Sequence, residues 1–304
     1  MKKMGILVFC CLLWVGMLSG CQSELPPVSE AGNSTPEVSA GDFAELWDRI
    51  DGSTATIPLT EGILKHWLEL SDEQASQRVS HSKTYNAFVK LIDGDADLIF
   101  VTSPQEEWLD TGRQQGVEVE VIPVVKDALV FLANTKNGVD TLTQQQLKSI
   151  YTGEITNWKN VGGSDSAIRP FQRPATSGSQ ALFLQLLMKD TEPTQAVPDL
   201  EKASMSGLID AVAAYDNAES ALGYSVFYYA TDMYMKDTVK LLGVDGVVPS
   251  GETIADGSYP LITYYYAVIR KDTPKTDPAR KMIDWLLGEE GQRVAEEAGY
   301  VPMQ

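Results

Sequence analysis

From residue 42 onward, short apolar runs alternate with amphipathic stretches. Asp42 to Ile50 sets Phe43, Leu46, Trp47 and Ile50 at helical spacing, and Ile50 to Thr54 ends a first strand in a loop. Thr60 is placed to cap a helix with the stripe Ile63, Leu64, Trp67 and Leu68. Arg78 to Ser82 reads as a short strand, followed by a helix from about Thr84 that turns Tyr85, Phe88, Val89 and Ile92 inward. Ala96 to Val101 is a continuous apolar strand, and a strand from Val117 to Val125 comes after a short helix. Further strands are expected at Ala128 to Ala133, Ile168 to Gln172, Ala221 to Ser225, Val239 to Val244 and Leu261 to Arg270. Helices are expected at Thr143 to Tyr151, from Ser177 with Leu182, Phe183, Leu186 and Leu187 on one face, at Ser206 to Tyr215, and at Pro278 to Glu297. This order predicts an α/β fold of mainly parallel sheets flanked by helices. We read two lobes, 42–125 with 245–304 and 126–244, the second inserted in the first. The crossings fall near Pro123 to Lys126 and between Val244 and Thr263.

The first residues follow a different pattern. Lys2 and Lys3 precede an apolar run from Ile6 to Leu18, too short to span a bilayer comfortably and ordered like a secretory signal. The ending Leu18-Ser19-Gly20-Cys21 resembles the lipobox of bacterial lipoproteins, in which the cysteine is lipidated and becomes the mature N-terminus. Residues 1–21 are therefore expected to be a signal peptide with Cys21 as the lipidation site. Residues 22–41, rich in Ser, Pro, Glu and Gly, are expected to form a flexible tether. With Cys10 and Cys11 removed, no internal disulfide is expected.

Charge narrows the partners. The formal net charge is -18, from 24 basic and 42 acidic residues, which argues against nucleic acid as a ligand. Any bound anion must be held by local dipoles, since the overall field repels it; screening over about 8 Å at physiological salt makes that possible.

Hydroxyl residues gather at four strand ends: Gly52-Ser53-Thr54, His81-Ser82-Lys83-Thr84, Thr102-Ser103, and Arg173 with Ser177-Gly178-Ser179. Each Ser or Thr alone is ordinary helix-capping chemistry. In open α/β sheets, however, ligands sit beyond the carboxyl ends of the strands. A helix start presents free N–H groups and a positive dipole end, Gly178 lets an anion approach the backbone, and Arg173 adds a planar fork of donors. Together these predict a tetrahedral oxyanion held between two lobes. Hydrogen bonds to a charged group contribute about 1.5–3 kcal/mol each, and micromolar binding needs only about 8 kcal/mol net.

The segments carrying this chemistry resemble the phosphate-binding lipoproteins of phosphate ABC importers. The matching stretches are Gly52-Ser53-Thr54 with Pro58-Leu59, Ile150 to Trp158 with Val161-Gly162-Gly163, Arg173 with Ser177-Gly178-Ser179, Gly223-Tyr224, and the tail Gly299-Tyr300-Val301-Pro302. The resemblance implies a type II periplasmic-binding-protein fold that closes over phosphate. By position it implies Ser53, Thr54, Thr84, Thr102, Arg173, Ser177, Gly178 and Ser179 as ligand-binding residues, with the Ala55 N–H as a further donor. Trp158 is expected to be a core plug. Relatives carry an acid where this chain has Thr102, and often another where it has Ala175. A carboxylate there accepts the proton of hydrogen phosphate and repels sulfate. The implied partners are inorganic phosphate, the permease subunits of an ABC transporter, and a membrane reached through the N-terminal lipid. A monomer on the extracytoplasmic face of a bacterial cell membrane is expected.

Enzyme chemistry finds little support. Ser177 lacks a Gly-x-Ser-x-Gly elbow, and the only histidines are His66, expected in packing or at the surface, and His81, which has no acidic partner evident from sequence. Neither a His-Glu-x-x-His motif nor a Cys/His cluster is present, so no metal or cofactor is expected. A receptor for sulfate or phosphonate, a surface phosphate sensor and a phosphatase are the alternatives.

Overall fold

The computed structural model describes residues 39–303; the signal-like segment, Cys21 and most of the expected tether lie outside the described residues. Two 3₁₀ turns, Ala40–Phe43 and Trp47–Arg49, stand where a packing helix was expected, and Phe43 and Leu46 are buried. They lead to β1 (Ile50–Gly52) and, through a 3₁₀ turn at Thr54–Thr56, to α1 (Ile57–Leu68). Helix α1 begins ahead of Thr60 because Pro58 suits a first helical turn, where its missing N–H breaks no bond. The strand expected at Arg78 to Ser82 does not form. Instead α2 (Asp72–Arg78) is fixed by a Ser71–Gln74 capping box, and a loop connects it to α3 (Thr84–Asp93).

Next come β2 (Leu98–Thr102), α4 (Glu106–Gln114), β3 (Val119–Asn134), β4 (Thr141–Leu142) and α5 (Gln144–Tyr151). They are followed by β5 (Arg169–Pro170) and α6 (Gly178–Leu182), which continues as a π-helix over Phe183–Met188. The chain then forms α7 (Met205–Ala213), β6 (Ala221–Val226), β7 (Val239–Val244) and α8 (Gly251–Ala255). It ends with β8 (Ile262–Arg270), α9 (Pro278–Leu287) and α10 (Glu289–Glu297). The single terminal helix expected from sequence is thus two. Gly288 is extended, and a side chain at Gly291 would run into the backbone of Leu286, so glycine lets α10 fold close against the end of α9.

In space the strands run β1-β2-β8-β3-β6-β5, with β7 also on β3 and β4 on β7. The outer pairs β1–β2, β5–β6 and β4–β7 are parallel, whereas β8 and β3 are antiparallel to all their neighbours. The sheet is therefore mixed rather than mainly parallel, and β3 is the reason. The two strands expected on either side of Pro123 to Lys126 are one. Its first part, to Ala128, pairs with β8, and its last part, from Leu129, pairs with β6 and β7. One continuous strand thus carries the chain from lobe to lobe. Pro123, which cannot donate to the ladder, is absorbed by a register shift between Pro123 and Val125.

Helices cover both faces. Against the first-lobe sheet, Leu59, Ile63, Leu98 and Phe100 join the main core, while Phe88, Leu91, Ile99 and Trp108 form a separate buried cluster. In the second lobe Phe183 and Tyr224 form an aromatic stack, 4.6 Å apart and 5° from parallel, and Tyr151 meets both rings edge-on. Trp158 is fully buried and donates from Nε1 to Ser220 O at 3.1 Å, the plug expected of it. Among the described residues no helix is long and apolar enough to cross a membrane.

Candidate functional site

The loop after β1 is held by its own short-range bonds. A side chain at Gly52 would collide with Phe100 O and would lie 2.7 Å from both Thr56 Oγ1 and His81 Nδ1, so only glycine fits. Ser53 N–H donates to Phe100 O at 2.9 Å, and Thr56 Oγ1 donates to the same carbonyl at 2.7 Å. His81 Nδ1 lies 2.9 Å from Ser53 O, which assigns its proton to Nδ1. Burial pulls the His81 pKa below its ordinary value, so the ring is neutral and braces the loop. His66 lies elsewhere, stacked on Trp285 at 5.0 Å.

The second loop is anchored by Asp51, which is 3% exposed. Its carboxylate accepts from Gly52 N, Ser82 N, Ser82 Oγ and Lys90 Nζ, each at 2.6 Å. Burial alone raises the Asp51 pKa; the bonds from Lys90, Ser82 and Gly52 overcome this and hold it below the usual carboxylate value. Thus tied, the chain delivers Lys83 at φ +78°, a conformation rare outside glycine, directly before Thr84 opens α3. Thr102, at the end of β2, is buried, and its Oγ1 has no hydrogen-bond partner.

Arg173 comes from the other lobe. Its backbone N–H donates to Tyr224 Oη at 3.0 Å and Gln180 Oε1 at 3.1 Å, which seats it on the aromatic stack. The guanidinium, in a residue 8% exposed, donates from Nε to Lys202 O at 2.7 Å, from one terminal nitrogen to Ala203 O at 3.3 Å, and from the other to Ser179 Oγ at 3.4 Å. Among the described residues no carboxylate pairs with it, and burial draws its pKa below the ordinary arginine value. A buried cation met only by neutral groups is costly until an anion joins it. Ser177 stands at the N-cap position of the helical run that begins at Gly178 without capping it through its side chain, and the Ser177 and Ser179 hydroxyls lie 3.1 Å apart.

The two halves meet. Gln105 Nε2 donates to Ala175 O and Gln185 Nε2 to Pro104 O, both at 3.1 Å. A Cβ built on Gly178 would stand 2.5 Å from Thr102 Oγ1 and 2.6 Å from Thr84 Oγ1. Between the halves lies a cavity of about 320 Å³. Ser53, Thr54, Thr84 and Thr102 line it from one side, and Arg173, Ser177, Gly178 and Ser179 from the other. All eight residues singled out from the sequence are therefore brought to one place, with Ala55 beside them. Lys83, Thr176, Ser204, Ser206 and Tyr229 also line the wall and were not anticipated. Ser204 and Ser206 stand at the start of α7, the same signal of hydroxyls ahead of a helix that marks the other loops. Lys83 was visible in the His81-Ser82-Lys83-Thr84 loop as a cation in an acidic chain. Among the described lining residues there is no carboxylate, and no described group of acidic, His or Cys side chains could hold a metal.

A family model for the PBP superfamily domain matches residues 48–290. The chain belongs to the PBP superfamily. Within it, the chain is 30% identical over 195 residues to the Phosphate-binding protein PstS of Bacillus subtilis strain 168, an alignment spanning 63% of this chain and 61% of that protein. It is 24% identical over 312 residues to the Phosphate-binding protein PstS of Borreliella burgdorferi, covering 99% of each. Among solved structures, a phosphate ABC transporter substrate-binding protein from Clostridium perfringens with bound phosphate superposes with a TM-score of 0.65. That comparison has 24% identity and covers 84% of this chain and 98% of the other. An ABC-type phosphate transport receptor from Vibrio cholerae gives a TM-score of 0.62 at 24% identity, with 83% and 98% covered. These likenesses establish the two-lobed fold as that of the superfamily.

Proposed function

We propose that this PBP-superfamily chain is an extracytoplasmic solute-binding protein that captures inorganic phosphate in its interlobe cavity and delivers it to the permease of an ABC importer. The observation that carries the reading is the cavity wall. Hydroxyls, a helix start and a buried guanidinium without a carboxylate partner converge from both lobes on one space. That is a site built for an anion with oxygens on several sides. In this reading residues 42–125 with 245–304 form one jaw and 126–244 the other, and β3 crosses between them. Phosphate docks on one jaw and closure brings the second set of donors to it. Residues 1–21 act as a lipoprotein signal, Cys21 carries the lipid that tethers the protein to the cell membrane, and the protein works as a monomer. The names of the relatives support binding rather than turnover. Calorimetry with phosphate, sulfate, arsenate and phosphonates at two pH values tests the reading. One phosphate per chain at micromolar affinity or tighter is expected; no saturable heat with phosphate refutes it.

One observation favours a broader second reading. Thr102 Oγ1 can donate as well as accept, and no carboxylate faces the anion among the described lining residues. Nothing in that wall demands a proton on the ligand, so sulfate competes more effectively than at a site holding an acid. Equal affinities for phosphate and sulfate in the same titration would favour this reading.

A further inference from the structure

The tail Gly299-Tyr300-Val301 touches three parts of the molecule at once. Tyr300, 3% exposed, donates its hydroxyl hydrogen to Ala55 O at 2.7 Å and accepts from Leu59 N–H at 3.3 Å. In an uninterrupted α-helix Leu59 N–H would bond to Ala55 O, four residues back. The hydroxyl is inserted into that bond, and the segment is wound as a 3₁₀ turn at Thr54–Thr56, with Ser53, Thr54 and Ala55 on the cavity wall.

The other contacts of the tail lead away from this loop. Val301 O accepts from Lys126 N–H at 2.8 Å on the crossing strand β3. The Tyr300 ring is stacked on Tyr228 at 3.9 Å and 22°. Tyr228 lies just beyond β6 of the second lobe; its N–H donates to Asp127 Oδ1 at 3.2 Å and its hydroxyl to Ala298 O at 2.6 Å. Gly299 is at φ +94°, and a Cβ there would come within 3.0 Å of the Tyr228 ring, so the close approach depends on glycine.

We infer that Tyr300 is a positioning residue for the anion site, linking the Ser53–Ala55 loop of the first lobe to the crossing strand and to Tyr228 of the second. It lies outside the cavity and acts through the loop. Tyr228 is itself tied to the tail through Ala298 O, so the loop, the tail and the chain just beyond β6 are joined through Tyr300. This rests on reading the cavity as an oxyanion site.

The test is Tyr300→Phe in the full chain, which keeps the ring and its stacking and removes both hydroxyl bonds. Phosphate binding is followed at equilibrium and by stopped flow, alone and combined with Thr54→Ala. The expected result is affinity weaker by about tenfold, the worth of one or two neutral hydrogen bonds, expressed as faster release at an unchanged association rate. In the Thr54→Ala background most of that loss disappears, because both changes act on one loop. A structural role alone would lower the melting temperature without changing release. Wild-type affinity and release in Y300F, or effects that multiply fully with Thr54→Ala, overturn the inference. A wild-type chain that takes up none of the oxyanions overturns both it and the reading beneath it.

Discussion

Gly178 offers a way to separate binding from folding with one methyl group. In the closed arrangement a Cβ at this position would sit 2.5 Å from Thr102 Oγ1 and 2.6 Å from Thr84 Oγ1, whereas ordinary contact begins at 3.4 Å. Relief of the tighter clash therefore requires a movement of 3.4 − 2.5 = 0.9 Å. Both threonines are buried on the opposing lobe, so neither side chain swings away freely and the movement falls on the gap between lobes. Hydrogen bonds to an anion weaken steeply over such a distance, and each is worth about 1.5–3 kcal/mol. Losing one of them weakens binding by roughly tenfold to a hundredfold. The open form pays no such penalty. Gly178 is the first residue of α6, where alanine is at least as good a helix former as glycine, so Gly178→Ala should leave the ligand-free melting temperature unchanged. Titration calorimetry and thermal unfolding of the same variant give both readouts. Phosphate affinity equal to wild type would refute the argument that the anion is gripped between these elements.

Arg173→Ala should weaken phosphate binding at least tenfold, about 1.4 kcal/mol, and Arg173→Lys should not restore it, because one ammonium cannot reproduce the guanidinium bonds to Lys202 O, Ala203 O and Ser179 Oγ; calorimetry checks both. Thr102→Val should weaken phosphate binding severalfold or more while leaving the ligand-free melting temperature close to wild type, because its hydroxyl lines the cavity and has no protein partner to lose. Asp127, fully buried on β3, has its carboxyl pushed up to about 6 by burial, against the backbone N–H bonds from Ala128 and Tyr228 that lower it. Its stabilising contribution is complete below about pH 4, where the unfolded chain is also protonated, and is lost as pH rises through 6. Asp127→Asn should therefore melt higher than wild type at pH 8, by up to about 3 kcal/mol of stability, with the difference vanishing near pH 4 in a melting series.

The site was legible in the sequence because its chemistry is local. Ser53, Thr84 and Ser177 sit where a strand or loop enters a helix, and small hydroxyl residues at such points announce themselves wherever the lobes later meet. Helix α5, capped by Thr143, and strand β7 also fall within a residue of expectation, since each carries its full hydrophobic period and its own boundary signal. What escaped depended on distant partners. Helix α2 buries only Ala75 and has no apolar stripe to read, although its Ser71–Gln74 capping box was in the sequence. The continuity of β3 through Pro123 depends on β8, where Val119 pairs with Arg270 far along the chain. Lys83 stands out by charge, but its place on the wall comes from a backbone conformation imposed by Asp51, Ser82 and Gly52, which periodicity does not encode.

The most direct test of an anion bridging two lobes is small-angle X-ray scattering on protein stripped of bound anion and titrated with phosphate. The radius of gyration should fall as phosphate is added and level off at one equivalent per chain. A scattering profile that stays the same up to millimolar phosphate would contradict it.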